Sequence, residues 1–219
     1  MITVACLIAA KDLRVERRSK IVTNQVLPFA GITMVSFAFA LDKQNVLDTV
    51  APGLVWLATM FSLLVIVQRT FAIETDDGAL DAMRVAGVDP RAIFVGKAMA
   101  LGFQLLVLEA MLFGAAVIFY GESIPSNNAF GSVVLLVTTM LSATCGLAAG
   151  FKGSETLLPL LTLPAVAPVL IGATKAVESA VGTSGAVVSE GWQWVGLLTL
   201  FAVAAVVGGA LAFGPLIDD

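Results

Sequence analysis

Six apolar runs separated by short polar segments constrain this chain more than any other feature. They cover residues 21–41, 51–71, 91–120, 130–151, 157–174 and 192–213. Each is long enough to approach or exceed the ~20 apolar residues that carry an α-helix across a bilayer. A helix closes its own backbone hydrogen bonds, so such runs can sit in lipid without exposing unsatisfied polar groups. Only 13 % of the residues are charged, against about 25 % in ordinary soluble domains. The expected fold is an all-α integral membrane protein with six transmembrane helices. Those spans occupy most of the 219 residues, so residues 1–219 read as one transmembrane domain with no room for a soluble one.

The polar segments set the orientation. The opening MITVACLIAAKDLRVERRSK places its apolar stretch before its basic one, the reverse of a signal peptide. As a helix, it would carry Lys11, Arg14 and Arg18 on one face and Ile2, Ala5, Ile8 and Ala9 on another. Residues 1–20 therefore read as an amphipathic helix on the membrane surface, its basic face toward anionic headgroups of the lipid bilayer. With the N-terminus inside, Lys11, Arg14, Arg17, Arg18, Lys20, Arg69, Arg84, Arg91, Lys97 and Lys152 are cytoplasmic. Only Lys43 and Lys175 remain outside, so the positive-inside rule puts both termini in the cytoplasm. Tyr120, Trp192 and Trp194 then fall at the outer interface, and the location is the plasma (cytoplasmic) membrane.

Residues 72–90 form a polar island, AIETDDGALDAMRVAGVDP, between the second and third spans. Asp76 or Asp77 can cap a short helix through Gly78, Leu80, Met83 and Arg84. Gly87 fits just past its end, and Asp89 and Pro90 read as the N-cap and first residue of the next helix. Leu80, Met83 and Val88 give this cytoplasmic segment apolar groups. It is either a short amphipathic helix that docks in a partner's groove or a well-capped solvated loop.

Inside the spans, Glu109 stands near the middle of LVLEAML, where an ionisable group costs at least about 2.5–3.5 kcal/mol on insertion scales. It is either a polar group on a transport path or a neutral glutamic acid bonded to a neighbouring helix. Pro159, Pro164 and Pro168 interrupt the fifth span, which predicts a kinked helix or a re-entrant pair, lining a path or merely bent. Pro52 falls near the first turn of the second span, where it is tolerated. Gly146, Ala149, Gly150, Gly208, Gly209 and Ala210 allow close helix approach. Residues 175–191 read as a solvated outer loop; the alternative is an apolar face of Ala176, Val177, Ala180 and Val181 lying on the outer membrane surface.

Several functions are excluded. The chain has no histidine, which removes Ser-His-Asp catalysis, histidine-ligated zinc and histidine-ligated heme from this chain's own repertoire. Cys6 and Cys145 lie far apart in apolar contexts and make no metal pattern. The net charge of −4 gives no basis for nucleic acid as a partner. Gly96, Lys97 and Ala98 resemble the end of a phosphate-binding loop, but Ala98 has no hydroxyl for magnesium. ATP, if used, must be bound by another chain. No nucleophile–base pair or metal cluster marks an enzyme, and no cofactor is assigned to the chain.

KDLRVERRSK after a short apolar start, APGLVWLATMFSLLVIVQRTF followed by DDGALDAM and GKAMA, and the proline-rich LLPLLTLPAVAPVLIGAT together resemble the heme exporter protein B family, over nearly the whole chain. That family provides the permease of the cytochrome c maturation ABC transporter. The resemblance implies an ABC-2-type permease, paired with a second copy of itself and driven by a cytoplasmic ABC ATPase subunit. It makes residues 1–20 the elbow helix and the 72–90 island the element that contacts the ATPase. It also implies heme as the substrate and a heme-handling membrane subunit as a further partner. Two other readings stay open: an ABC-2 permease for another amphiphile (lipid, drug or glycan carrier), and a non-transporting scaffold that recruits the ATPase and the heme-handling subunit.

Overall fold

The computed structural model describes residues 1–20, 22–41, 44–77, 82, 83, 85–120, 131, 134, 138, 139, 143, 158–182 and 186–218. All regular structure among them is helical. In chain order the helices are α1 (Ile2–Ser19), α2 (Leu27–Ala40), α3 (Gln44–Asp77), α4 (Pro90–Tyr120), α5 (Leu158–Val181) and α6 (Val188–Asp218). Four helices among the described residues are long and apolar enough to cross a bilayer: Val22–Ala40, Val50–Gln68, Pro90–Phe119 and Val188–Phe213. The fourth expected span, 130–151, falls largely outside the described residues.

Proline shapes several of these helices. A π-helical stretch, Val22–Val26, leads into α2, whose second residue is Pro28. The proline ring would collide with the carbonyl four residues back in a regular helix, and the wider π turn relieves that clash. Pro52 is not in a first turn, contrary to the sequence-based expectation. The helix begins at Gln44, well before the apolar run does, so Pro52 lies inside α3. The fifth span is not a re-entrant pair, because α5 is one continuous α-helix through Pro164 and Pro168. Pro159 is the second residue of α5 as described.

The segment after the fifth span also differs from expectation. Residues 175–181 are helix rather than loop, and α5 continues to Val181. Ala176, Val177 and Ala180 are buried with Trp56, Ala173 and Val195 in the protein's own interior, not spread on the membrane surface. Their spacing of three and four makes a stripe that matches a neighbouring helix. Gly182, at φ 83°, ends the helix in a left-handed conformation suited to glycine.

Helix α4 is the hub, with contacts to α1, α2, α3 and α6; α3 also packs on α2 and α5, and α5 on α6. One face of α4 carries Leu101, Leu105, Leu108, Leu112 and Ala116, all buried. Because lipid tails are as apolar as leucine, close packing rather than water exclusion holds such helices together. The small residues act accordingly. A Cβ on Gly172 would come within 2.9 Å of Leu198, and one on Gly209 would overlap the ring of Phe94. Phe94 in turn packs on Phe213, with centroids 5.6 Å apart. The expectation of close approach at Gly209 therefore holds, though the approaching group is an aromatic ring and not a helix backbone.

These contacts give the bundle two ends. The start of α4 (Phe94) meets the end of α6 (Gly209, Phe213) and carries α1. The far part of α4 (Phe113) meets the first part of α3 (Trp56), whose neighbour Gly53 faces Thr174 of α5. Helices α3 and α6 therefore run opposite to α4 and α5.

Candidate functional site

The first site is the polar island. Helix α3 does not stop at Phe71 but runs through Asp77, so Asp76 lies within α3 rather than ahead of a new helix, and a cap at Asp77 falls against residues outside those described. Gly78, Leu80 and Arg84 lie outside the described residues, as do the side chains of Asp76 and Asp77. The end of the island is well defined. Val88 donates its N–H to the Met83 carbonyl at 3.1 Å, and Gly87 between them has φ 70°. This is the six-to-one bond of a Schellman motif, with glycine in the left-handed position that a Cβ disfavours. Met83 and Val88 both pack against the main core, supplying the apolar contact that accompanies the motif, while Val85 is 90 % exposed.

Two residues later the next helix is capped as expected. The Asp89 carboxylate accepts the Arg91 N–H at 2.9 Å, and Pro90 takes the first helical position. The island thus ends in a turn fixed at both sides, presenting Val85 outward at the base of α4.

The second site is the seat of α1 against that base. Ala5, Ile8 and Ala9 are buried, but Ile2 is 79 % exposed and does not belong to the buried face. A Cβ on Gly96 would lie 2.7 Å from the Ala5 carbonyl oxygen and 2.8 Å from Ile8 Cβ, so α1 sits almost on the α4 backbone. Next to it Lys97, 2 % exposed, pairs with Asp12 at 3.7 Å, and Asp12 also pairs with Lys11 at 3.1 Å. Arg14, Arg17 and Arg18 are exposed. The exposed surface of α1 is therefore divided along its length as well as around it. It is apolar at Ile2, Val4 and Leu7 and basic from Lys11 onward.

Glu16 fixes the corner after α1. Its carboxylate accepts the Val22 N–H at 2.7 Å, and its carbonyl accepts the Lys20 N–H at 2.7 Å. Lys20 itself adopts φ 54°, a left-handed conformation that costs a non-glycine residue about 1–2 kcal/mol.

The third site is the bundle interior. Glu109 is fully buried, and the Thr139 hydroxyl donates to its carboxyl group across helices. Its other oxygen, Oε1, has no hydrogen-bond partner among the described residues. Thr59, Ser62 and Thr138 are also buried, each hydroxyl returned to the carbonyl four residues back. Trp56 stacks edge-on against Phe113, one turn beyond Glu109, with centroids 6.1 Å apart. Of the three prolines in α5, Pro168 is exposed; the side chains of Pro159 and Pro164 lie outside the described residues.

The structure thus joins Lys11 to the α1–α4 seat and gives Glu109 a partner on another element. Among the described residues it does not bring the island, Glu109 and Pro168 together as one constellation. Sequence reasoning missed Asp12, Glu16, Thr139 and the Trp56–Phe113 pair. Asp12 left a signal: it follows Ala5 and Ile8 by seven and four residues, which puts it on the buried stripe. Thr139 left none, because its partner is thirty residues away.

All-helical, with membrane-length apolar helices packed through glycine and alanine, the chain is an integral membrane protein whose polar ends are fixed by caps and an ion pair. It belongs to the CcmB protein family, whose model matches residues 3–217. Among curated relatives it is similar to proteins named Heme exporter protein B. That of Rhodobacter capsulatus is 32 % identical over 170 residues, 74 % of this chain and 77 % of the relative. That of Paracoccus denitrificans is 28 % identical over 207 residues, covering 92 % and 94 %. That of Pseudomonas aeruginosa is 29 % identical over 211 residues, covering 93 % and 92 %.

Proposed function

We propose that this protein is the permease subunit of a heme-exporting ABC transporter that serves c-type cytochrome maturation. The observation that carries this reading is the end-to-end match to the family and to relatives named for heme export. The chain pairs with a second copy of itself and is driven by a separate cytoplasmic ATPase, beside a membrane subunit that handles heme. It crosses the membrane six times with both termini in the cytoplasm.

In this reading Asp76, Asp77, Gly78, Leu80, Met83 and Arg84 form the ATPase contact. The Schellman turn and the Asp89 cap support it, because they make a rigid joint between the contact and α4. A bound ATPase that moves the turn moves the start of α4 with it. Lys11, Arg14 and Arg18 face lipid headgroups. Heme is substrate here, and with no histidine in the chain a partner supplies any imidazole ligand.

The test is purification from the native membrane. The wild-type chain should bring down an ATPase and a heme-coloured complex, and its deletion should abolish c-type cytochromes. Replacing Leu80 and Met83 together by aspartate should remove the ATPase while the chain stays in the membrane. An intact complex in that double variant would refute the docking role.

A second reading is favoured by one observation. Glu109 is bonded to Thr139 in a packed interior, which suits a scaffold without a transport path. Under it, Glu109→Gln keeps normal cytochrome maturation, because the amide still accepts the threonine hydroxyl. Loss of maturation at normal abundance would favour a path through Glu109.

A further inference from the structure

We propose that Lys97 and Asp12 are positioning residues, an ionic latch that carries displacement of the 82–89 turn into α1. The proposal rests on the ATPase-driven permease reading. Lys97 stands two turns into α4, and an uninterrupted helix joins it to the Asp89 cap and the glycine-closed turn. Its side chain is 1 % exposed, and that of Asp12 is 15 % exposed. A buried ammonium is costly unless an opposite charge stays beside it. An apolar side chain here would let α1 slide by a fraction of a turn, whereas the charge admits one register. Gly96 enforces the same register sterically, since α1 approaches too closely there for any side chain.

Asp12 lies between two ammonium groups of different exposure. Lys97 is inside, and Lys11 is 44 % exposed at 3.1 Å. Separating α1 from α4 would draw the Asp12 carboxylate away from Lys97, while Lys11, on the same helix as Asp12, stays beside it. At its other end α1 is held by Glu16, whose carboxylate binds the Val22 N–H ahead of α2. Motion at the turn thus passes through α4 to α1 and on to the corner before α2.

The test uses the complex purified with its ATPase, with c-type cytochrome yield measured per unit of complex. The variant carrying Asp12→Leu with Lys97→Met replaces the pair by packing side chains, a change that often preserves stability. Expected is wild-type abundance and ATPase association with a cytochrome yield lower by roughly tenfold, within the usual range of coupling between sites. A wild-type yield would overturn the latch and leave the pair a packing feature. If this variant does not accumulate, Asp12→Glu and Asp12→Asn decide at matched abundance. Retained yield in the first and lost yield in the second supports the latch, and equal yields overturn it. If the wild-type chain brings down no ATPase, the permease reading itself fails, which this control registers separately.

Discussion

Gly96→Ala adds one carbon at the closest approach of α1 to α4, and its cost can be separated from helix propensity by a control on the same helix. The new Cβ would meet the Ala5 carbonyl oxygen at 2.7 Å and Ile8 Cβ at 2.8 Å. Neither obstacle is the far end of a flexible chain that could rotate away. The carbonyl is part of the α1 backbone, so α1 must lift as a body. Overpacking of this kind costs about 1–3 kcal/mol. Against it, alanine gains about 0.8–1.0 kcal/mol over glycine in a helix interior. Gly114, also in α4, has open space where a Cβ would stand, with nothing within 4 Å, so Gly114→Ala collects the gain without the clash. The two variants should differ by the overpacking alone. At about 2–4 °C per kcal/mol for a chain of this size, Gly96→Ala should melt roughly 2–12 °C below Gly114→Ala in detergent. A local readout accompanies it. Ala5→Cys, in a Cys6→Ser, Cys145→Ser background, is buried under the wild-type contact and should become reactive to a maleimide when Gly96→Ala is added. Equal melting temperatures with Ala5→Cys still protected would refute the docking of α1 on the α4 backbone.

Three further substitutions test other parts of the architecture. Gly209→Ala would overlap Phe94, which is backed by Phe213, and should destabilise by about 1–3 kcal/mol; Gly208→Ala, with open space around it, should not, as thermal unfolding of the pair will show. Lys20→Gly should raise the melting temperature, because it relieves a left-handed residue at φ 54° worth about 1 kcal/mol; an unchanged or lower value would mean that the corner is not strained. Thr139→Val removes the hydroxyl that serves Glu109 and should cost about 0.6–1.7 kcal/mol, the range for interhelical bonds in membranes. Glu109→Gln should cost less, since its amide oxygen can accept the same hydrogen bond, and the same melting assay in detergent compares the two.

The features legible in the sequence are those whose cause is local. Asp89, Pro90 and Gly87 announce a cap and a stop because each satisfies or frees backbone groups within one turn, and the structure has both. The long helices follow from apolar runs for the same reason. Their ends do not, because a helix can continue past the apolar stretch into polar residues. That is why α3 starts at Gln44 and reaches Asp77, taking Asp76 into the helix. The prolines rule out less than they suggest, since of the two expected outcomes only the re-entrant pair is excluded. Pro164 and Pro168 each remove one donor, yet α5 stays continuous, since a helix tolerates isolated losses when its flanking bonds persist. The 175–181 segment reads as solvated because Lys175 and Glu178 are charged, but these two pair at 2.7 Å on one side while Ala176, Val177 and Ala180 bury the other. Lys97 reads in the sequence only as a charge that orients the chain. Its partner Asp12 is 85 positions away, and no local rule connects them.

The distribution of contacts also limits how a displacement at the island can spread. The start of α4 touches α1 through Gly96 and Lys97, and touches the end of α6 through Phe94 against Gly209 and Phe213. Helix α5, with its prolines, packs mainly on α3 and α6 and so lies one helix further away. A shift of the 82–89 turn therefore acts first on α1 and α6. It reaches α5 through Leu198 against Gly172, a contact at the opposite end of the bundle from Phe213. Glu109 lies between these levels on α4 itself, with Leu105, Leu108 and Leu112 buried around it. Its bond to Thr139 ties α4 to the segment that follows it at mid-depth. Thr139→Val removes this attachment, so maleimide reactivity of Ala5→Cys in a Cys6→Ser, Cys145→Ser background should rise if it helps hold the start of α4, and stay unchanged if the α1 contact at Gly96 holds that end alone.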